Sequence, residues 1–231
     1  MSATDTTAER AKIVAAAYRL LTASDGASVP ITDILAAAGL STRAFYRHFD
    51  SKDALLLAMF RSDSDRVLGQ LCAIAADSAT ARQGLERWIA TMLTLTADPR
   101  RRRRVLVLSS DEVTRARGYR AELERYRADQ DQAIAALLRR GLADGSLPRS
   151  EPGRDARYVR AAIHDAFDEL MARPLGGDVA DVVCSLVDFV LRSLEAAPAA
   201  PARHPAAPGS RSPDEDGAGG AVDNPRPSRR D

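Results

Sequence analysis

Hydrophobic positions recur at helical spacing along most of the chain, and no long stretch alternates in the way that predicts a strand. Residues 6–9, TTAE, have the form of a capping box, and an apolar face follows them until Asp25 and Gly26. The run 105–108 is apolar but only four residues long, and its surroundings are helical. Further helices are predicted at 52–76, 80–97, after Asp98 and Pro99, and at 118–142, 154–172 and 178–194. The pattern predicts an all-α protein of about nine helices.

The composition changes sharply near Glu195. Residues 196–231 contain seven prolines, four glycines and nine alanines, and Val222 is the only sizeable aliphatic or aromatic side chain there. Such a segment buries too little apolar surface to offset the entropy of ordering, so we expect residues 196–231 to be a disordered tail. Its five arginines are matched by five acidic residues, which favours a solvated tail over a basic arm that grips DNA.

Charge and cysteine content limit the classes of binding partner and indicate the cellular compartment. The 33 basic and 32 acidic residues give a net charge of +1, so any binding to nucleic acid must come from a local cluster. The two cysteines, Cys72 and Cys184, are far apart and predict neither a disulfide framework nor a zinc site. No stretch reaches about 18 uncharged apolar residues. We therefore expect a soluble, cytoplasmic protein without a membrane segment.

The most informative segment is 26–60. Pro30 is compatible with a first helical turn, and Ile34 and Leu35 form a stripe that would be buried. Gly39 can adopt a positive φ at no steric cost, and Ser41 can cap a second short helix. A helix, a turn with glycine and a second helix are typical of the helix-turn-helix motif.

The second short helix is predicted to have two different faces. Phe45 and Phe49 are four residues apart and would pack inward, while basic and polar groups lie on another surface. Residues 41–52 carry three basic groups against Asp50 alone, a local charge of +2. Arginine matches guanine edges in the major groove, and Tyr, His and Lys can hold phosphate oxygens. This helix therefore has side chains suited to contact duplex DNA.

Residues 38–55, AGLSTRAFYRHFDSKDAL, resemble the signature of the TetR/AcrR family, AG-V-S-x-x-x-hydrophobic-Y-x-H-F-x-x-K-E-x-L. The resemblance covers about residues 8–60. It implies an N-terminal three-helix helix-turn-helix domain that binds DNA, here 1–50, and a helical body for effector binding and dimerisation, here 51–195. The role that it implies is transcriptional repression relieved by an unknown small molecule.

The resemblance also implies roles for individual residues. Tyr46, His48 and Lys52 match positions that commonly hold phosphates, whereas Thr42, Arg43 and Arg47 match positions that face bases or nearby backbone. The sequence departs from the family pattern at Arg43, where glycine is common, and at Val29, where a capping Thr or Ser is common. The expected DNA-binding residues are Thr32, Ser41, Thr42, Arg43, Tyr46, Arg47, His48 and Lys52.

Large side chains in the body could line an effector pocket, although each could equally belong to the core. His164 and Asp168 fall on one helical face, but no further ligand for a metal is visible, so pocket lining or an internal hydrogen bond is favoured. The expected pocket residues are Trp88, Met92, Tyr126, His164, Phe167 and Asp168. We expect no metal and no cofactor.

Two other features have alternative interpretations. The five arginines of 100–104 are either a solvated face paired with acids such as Asp111 and Glu112, or a second DNA contact, and the first is favoured. The last helix has too wide an apolar surface for burial on one side. The resemblance implies that the last two helices form the interface of a homodimer, and the alternative is a central helix of a monomeric bundle.

These observations favour a homodimeric, ligand-responsive regulator that binds a pseudo-palindromic operator in double-stranded DNA and represses transcription. The alternatives are a helical protein-interaction module and a small helical enzyme, neither of which would bind DNA. The sequence has no Ser/His/Asp order, paired-carboxylate site or Gly-rich phosphate loop, so we do not expect an enzyme.

Overall fold

Ten α-helices make up the regular structure of the protein in a computed structural model that describes residues 3–24, 28–173 and 178–195. These ranges contain no strand, which confirms the all-α prediction. They lie within one structural unit, Met1–Ala197. The helices are α1 (Ala3–Ala23), α2 (Ile31–Ala38), α3 (Thr42–Tyr46), α4 (Lys52–Ala76), α5 (Ala81–Thr94), α6 (Pro99–Leu108), α7 (Asp111–Thr114), α8 (Tyr119–Ala143), α9 (Pro152–Ala172) and α10 (Val179–Glu195).

Most predicted helices agree with the observed ones to within a few residues, and α4 has the predicted bounds. The capping box predicted at 6–9 is wrong, because α1 already begins at Ala3. Threonine costs only a few tenths of a kcal/mol more than alanine inside a helix, about 0.7 at most, so Thr6 does not stop it. Helix α7 was missed because a four-residue helix is too short to show a period. The predicted break at Asp25 and Gly26 and the predicted disordered tail lie outside the described residues.

The core consists of two clusters of buried side chains. An N-terminal cluster joins α1, α2, α3 and the first half of α4 to the end of α6, to α7 and to the start of α8. A body cluster joins the second half of α4 to α5, α8, α9 and α10. Leu55 and Met59 of α4 belong to the first cluster and Leu71 to the second. Helix α4 therefore runs through both clusters, and the predicted domain boundary between 50 and 51 stays a prediction.

Candidate nucleic-acid interface

Helices α2 and α3 are joined by a tight turn whose geometry depends on Gly39. This residue has φ +67° and ψ +35°, in the left-handed region that favours glycine. Its N–H donates to the carbonyl of Ala36 at 3.2 Å, and the N–H of Leu40 donates to Leu35 at 3.0 Å. The turn thus satisfies the carbonyl groups at the end of α2 and redirects the chain into α3, as predicted from the sequence.

The start of α3 is capped by Ser41. The N–H of Ala44 donates to the Ser41 hydroxyl oxygen at 3.2 Å, which is the predicted cap. Helix α2 begins after Pro30 without a side-chain cap, which agrees with the absence of Thr or Ser at Val29. Ser41 is exposed but its oxygen already accepts this hydrogen bond.

Phe45 and Phe49 fix α3 against the N-terminal cluster. They are 0% and 4% exposed, and their ring centroids lie 5.7 Å apart. Full burial of a phenylalanine side chain contributes about 1.5–3 kcal/mol. This anchoring leaves the opposite face of the short helix toward solvent.

The outward face of α3 carries three side chains from the expected DNA-binding set. Thr42, Arg43 and Tyr46 are exposed, and Tyr46 is 57% exposed with its ring edge-on to Phe45. Arg43 has no hydrogen bond or ion pair with any described residue. Thr32, at the start of α2, is also exposed, and its hydroxyl donates to Asp33 at 3.3 Å. A long, uncommitted cation and a phenol therefore face solvent on one short helix.

Arg47 and His48 are instead bound to a carboxylate on α1. The Arg47 guanidinium donates from Nη2 to both carboxylate oxygens of Glu9, at 2.7 and 3.0 Å. Nε2 of His48 lies 3.0 Å from the same carboxylate, and the His48 side chain is only 3% exposed. Hydrogen bonds from His48 and then Arg47 lower the pKa of Glu9 below its ordinary value. Sequence reasoning missed Glu9 because no local pattern shows that α1 passes beside α3.

Lys52, at the first position of α4, forms an ion pair with Glu112 of α7. Its ammonium group also donates to the hydroxyl of Ser28 at 3.1 Å. The other contacts of Glu112 are to the segment before α2, where its carboxylate accepts from the Ser28 hydroxyl and from the N–H of Val29, each at 3.0 Å. Glu112 therefore connects α7 both to the entry of α2 and to the start of α4.

The predicted partners of the arginine run are wrong. Asp111 pairs with Arg115 at 2.7 Å, and Glu112 pairs with Lys52. Within the run, Arg102 donates to the carbonyls of Leu170 and Met171 at the end of α9. Arg101 lies 3.8 Å from Asp98, and Arg104 lies 3.5 Å from Asp63. The helical periodicity did not reveal these partners because they come from other turns and helices.

The expected pocket residues belong mainly to the packed interior. Trp88 and Met92 are 1% and 5% exposed, Phe167 is buried, and Asp168 is exposed. None of these six residues lines any of four surface clefts found in the described part of the chain. Their role in effector binding stays a prediction.

Two polar residues of this set, Tyr126 and His164, are joined through Gln130 by hydrogen bonds inside the body. Nε2 of His164 lies 2.9 Å from the side-chain oxygen of Gln130, whose amide donates to the Tyr126 hydroxyl at 3.1 Å. Burial lowers the pKa of His164 and raises that of Tyr126 to about 12. The internal hydrogen bond favoured for His164 is therefore present. No group of three or more potential metal ligands occurs among the described residues.

Comparison with known proteins places this geometry in a family. The family model for bacterial regulatory proteins, tetR family, matches residues 13–59, which span α1 to the first part of α4. Residues 13–59 therefore form a TetR-family N-terminal domain. A Mycobacterium tuberculosis HTH-type transcriptional regulator (strain ATCC 25618 / H37Rv) is 34% identical over 87 residues. The match covers 38% of this chain and 43% of that regulator, so the chain spans less than half the length of this curated relative.

Solved structures share the fold of this chain beyond the matched segment. A TetR-family regulator from Streptomyces coelicolor has a TM-score of 0.65 at 20% identity, covering 82% of this chain and 97% of that one. The fatty acid degradation regulator FadR from Bacillus halodurans has a TM-score of 0.66 at 14% identity, covering 80% and 96%. FadR from Bacillus subtilis in complex with stearoyl-CoA has a TM-score of 0.63 at 18% identity, covering 78% and 96%. None of the ten described helices combines the length and the apolar character that a transmembrane span requires.

Proposed function

We propose that this TetR-family chain is a homodimeric transcriptional regulator that binds a pseudo-palindromic operator in double-stranded DNA. The observation that carries the proposal is the face of α3 formed by Thr42, Arg43 and Tyr46. It combines a free guanidinium, a phenol and a hydroxyl on a helix whose opposite face is anchored in the core by Phe45. Because its target is chromosomal DNA, its proposed place of action is the cytoplasm.

The roles of the other expected contacts follow from their present partners. Arg47 can reach a base edge or a phosphate only by leaving Glu9 in part, and Lys52 must exchange Glu112 for a phosphate. Thr32, Ser41 and His48 are proposed to flank the contact at its edges. His48 is largely covered, so its contribution is to hold α3 against α1 through Glu9 unless DNA displaces that contact.

The proposed dimer forms through α9 and α10. Tyr158 of α9 and Phe189 of α10 are 64% and 58% exposed. Both line a cleft of about 400 Å³ together with buried Val190 and Leu194. Large apolar side chains at that exposure favour burial against a second copy, which would bring two α3 helices to successive major grooves.

The proposed output is repression that a small molecule relieves. One structural neighbour, FadR from Bacillus subtilis, has stearoyl-CoA bound, which supports a ligand site somewhere in a body of this shape. An effector that binds better to a form unsuited to DNA would shift the population away from the operator. The proposed pocket lies among Trp88, Met92, Tyr126, His164, Phe167 and Asp168, which would have to separate to admit a ligand.

Selection of bound duplexes from a random pool, followed by salt titration of the selected sequence, tests this function. A regulator should enrich a two-fold symmetric site and lose affinity steeply with salt, because phosphate contacts release counterions. Arg43→Ala should weaken binding to the selected site, whereas Arg139→Ala, an exposed arginine on α8, should not.

A failure to enrich any sequence in dilute buffer would reject the proposal and favour a protein-interaction module or a small enzyme. Equal losses for Arg43→Ala and Arg139→Ala would also reject α3 as the DNA-contacting element. A monomer at the concentrations used for binding would reject the two-fold arrangement.

A further inference from the structure

A basic surface cleft lies between α1 and α6. Its volume is about 400 Å³, and we call it the arginine cleft. No carboxylate occurs among the described residues that line it. The lining residues are Tyr18, Arg19 and Thr22 of α1 and Arg100, Arg103 and Arg104 of α6.

The positive charge in the arginine cleft is only partly compensated. Arg100 and Arg103 have no ion pair or side-chain hydrogen bond with any described residue. Arg104 lies over the Tyr18 ring, 4.5 Å from its centroid, and 3.5 Å from Asp63. Arg19 donates to the carbonyl of Ala37 at 3.0 Å. Two of the four guanidinium groups are therefore free.

The position of these charges within α6 makes them unfavourable without a partner. Arg100 and Arg103 are three residues apart on one face and lie in the first turns of the helix. Arg100 is in the first turn, where its charge opposes the partial positive charge of the helix N-terminus, although the capping carboxylate of Asp98 lies at the same end. A bound anion would relieve both repulsions.

A second cleft adjoins the arginine cleft and supplies apolar surface. It has a volume of about 560 Å³ and shares Thr22 and Arg103 with the first. Its apolar lining consists of Leu21, Leu106 and Val107, and Leu106 is 54% exposed. We call it the leucine cleft. Asp111, the one carboxylate among its described lining residues, is already paired with Arg115.

We propose that the two clefts together bind a small amphipathic phosphate monoester. The phosphate lies in the arginine cleft against Arg100 and Arg103, and the apolar group lies on Leu106 in the leucine cleft. A phosphate monoester has three terminal oxygens and a charge of about −1.5 to −2 at pH 7, so it matches two guanidinium charges better than a carboxylate, which carries a single negative charge. The free arginines therefore favour phosphate over carboxylate.

A ligand bound at this site would affect the position of α3 through α1. The cleft residues Tyr18, Arg19 and Thr22 are on the same helix as Glu9, which holds Arg47 and His48. A ligand that bridges α1 and α6 would fix the orientation of α1, and with it the position of α3. This coupling rests on the proposed DNA-binding function, but ligand binding itself does not.

The test is calorimetric titration of the full chain with octyl phosphate, octanoate, inorganic phosphate and 1-octanol. We expect saturable binding of octyl phosphate that weakens with salt, and at least tenfold weaker binding of each of the other three. Arg100→Gln with Arg103→Gln should weaken octyl phosphate at least tenfold. Leu106→Ser should weaken octyl phosphate but leave inorganic phosphate unchanged.

The matched control is Arg139→Gln with Arg157→Gln, two exposed arginines on α8 and α9, which should leave octyl phosphate binding unchanged. Absence of saturable binding would overturn the proposal, as would equal losses in the two double variants. Equal affinity for inorganic phosphate would overturn the role of the leucine cleft. If the cleft double variant loses affinity for DNA but not for octyl phosphate, the arginines contact nucleic acid and the proposal is wrong.

The DNA-linked readout separates this proposal from the proposed function. The protein could bind octyl phosphate, lose that affinity in the variant Arg100→Gln with Arg103→Gln, and yet bind no duplex. This result would support the proposed ligand site and reject the proposed DNA-binding function. If the protein binds both octyl phosphate and DNA, then DNA must change the affinity for octyl phosphate by the same factor as octyl phosphate changes the affinity for DNA.

Discussion

The ammonium group of Lys52 and the carboxylate of Glu112 form an ion pair between the start of α4 and α7. The Lys52 side chain is 22% exposed and that of Glu112 only 9%, so the pair is partly shielded from solvent. Lys52 is also an expected phosphate contact. In the proposed complex, DNA and α7 would compete for the same cation, and Glu112 would link α7 to the proposed interface.

Glu112→Gln should strengthen DNA binding about two- to fivefold, or about 0.4–1 kcal/mol, because Lys52 no longer has to leave a carboxylate. Glutamine keeps an oxygen that can accept from Val29. The measurement is fluorescence anisotropy with the selected duplex at fixed salt. Glu124→Gln, an exposed acid on α8, is the control and should change nothing. Weaker binding by Glu112→Gln would show that Glu112 positions Lys52 for DNA.

Arg47→Ala and Lys52→Ala should differ in what they weaken. Loss of Arg47 should reduce affinity for the selected duplex more than for random DNA, since a base contact specifies sequence. Loss of Lys52 should weaken both duplexes alike and reduce the slope of log affinity against log salt by about one. Competition assays at several salt concentrations distinguish these outcomes. If both variants lose the same amount on both duplexes, base contact and phosphate contact are not divided in this way.

Gly39→Ala should destabilise the fold by about 1–2 kcal/mol, because φ +67° strains any side chain. The control is Gly69→Ala in α4, where an added Cβ would meet nothing within 4 Å. That variant should be more stable by about 0.5–1 kcal/mol, since alanine favours a helix interior. Urea unfolding at pH 7 gives both free energies. Equal effects at the two positions would contradict the role of the turn.

Stability should fall in mild acid through His164. Burial, followed by the charge of Arg160, lowers its pKa in the folded protein below the ordinary value of 6.5, although Asp168 opposes this. The unfolded chain then takes up the proton first. The contribution of neutral His164 to the free energy of unfolding is complete above about pH 6.5 and is lost as the pH falls through the lowered pKa. Urea unfolding at pH 7.5 and 5.5 should show a smaller loss in His164→Gln than in the parent, and equal losses would exclude this origin.

Phe189→Glu should convert the proposed dimer to monomer, because it places a charge in the apolar surface of α9 and α10. Leu142→Glu on α8 is the control, since Leu142 is 42% exposed at a different site. Sedimentation velocity at micromolar concentration measures both. A dimer that persists in Phe189→Glu would place the interface elsewhere.

Local sequence signals identified much of the motif. The Gly39 turn, the Ser41 cap and the burial of Phe45 and Phe49 were all predicted, because each depends on residues within one or two helical turns. The bounds of α4 were also predicted, since 25 residues provide a long enough period. Glu9 and Glu112 were not identified as interface residues, although both now hold expected DNA contacts.

The amino-acid sequence by itself determined the all-α class, the helix-turn-helix and the polar outward face of α3. Those features follow from backbone propensity, capping and periodicity, which act over a few residues. Only the tertiary structure decided that Arg47 and His48 meet Glu9, that Lys52 meets Glu112, and that free arginines of α6 face α1. The reason is physical: the ion pairs Arg47–Glu9 and Lys52–Glu112 join residues 38 and 60 positions apart, so they depend on how helices pack, and that packing is set by the whole apolar core rather than by the charged residues themselves.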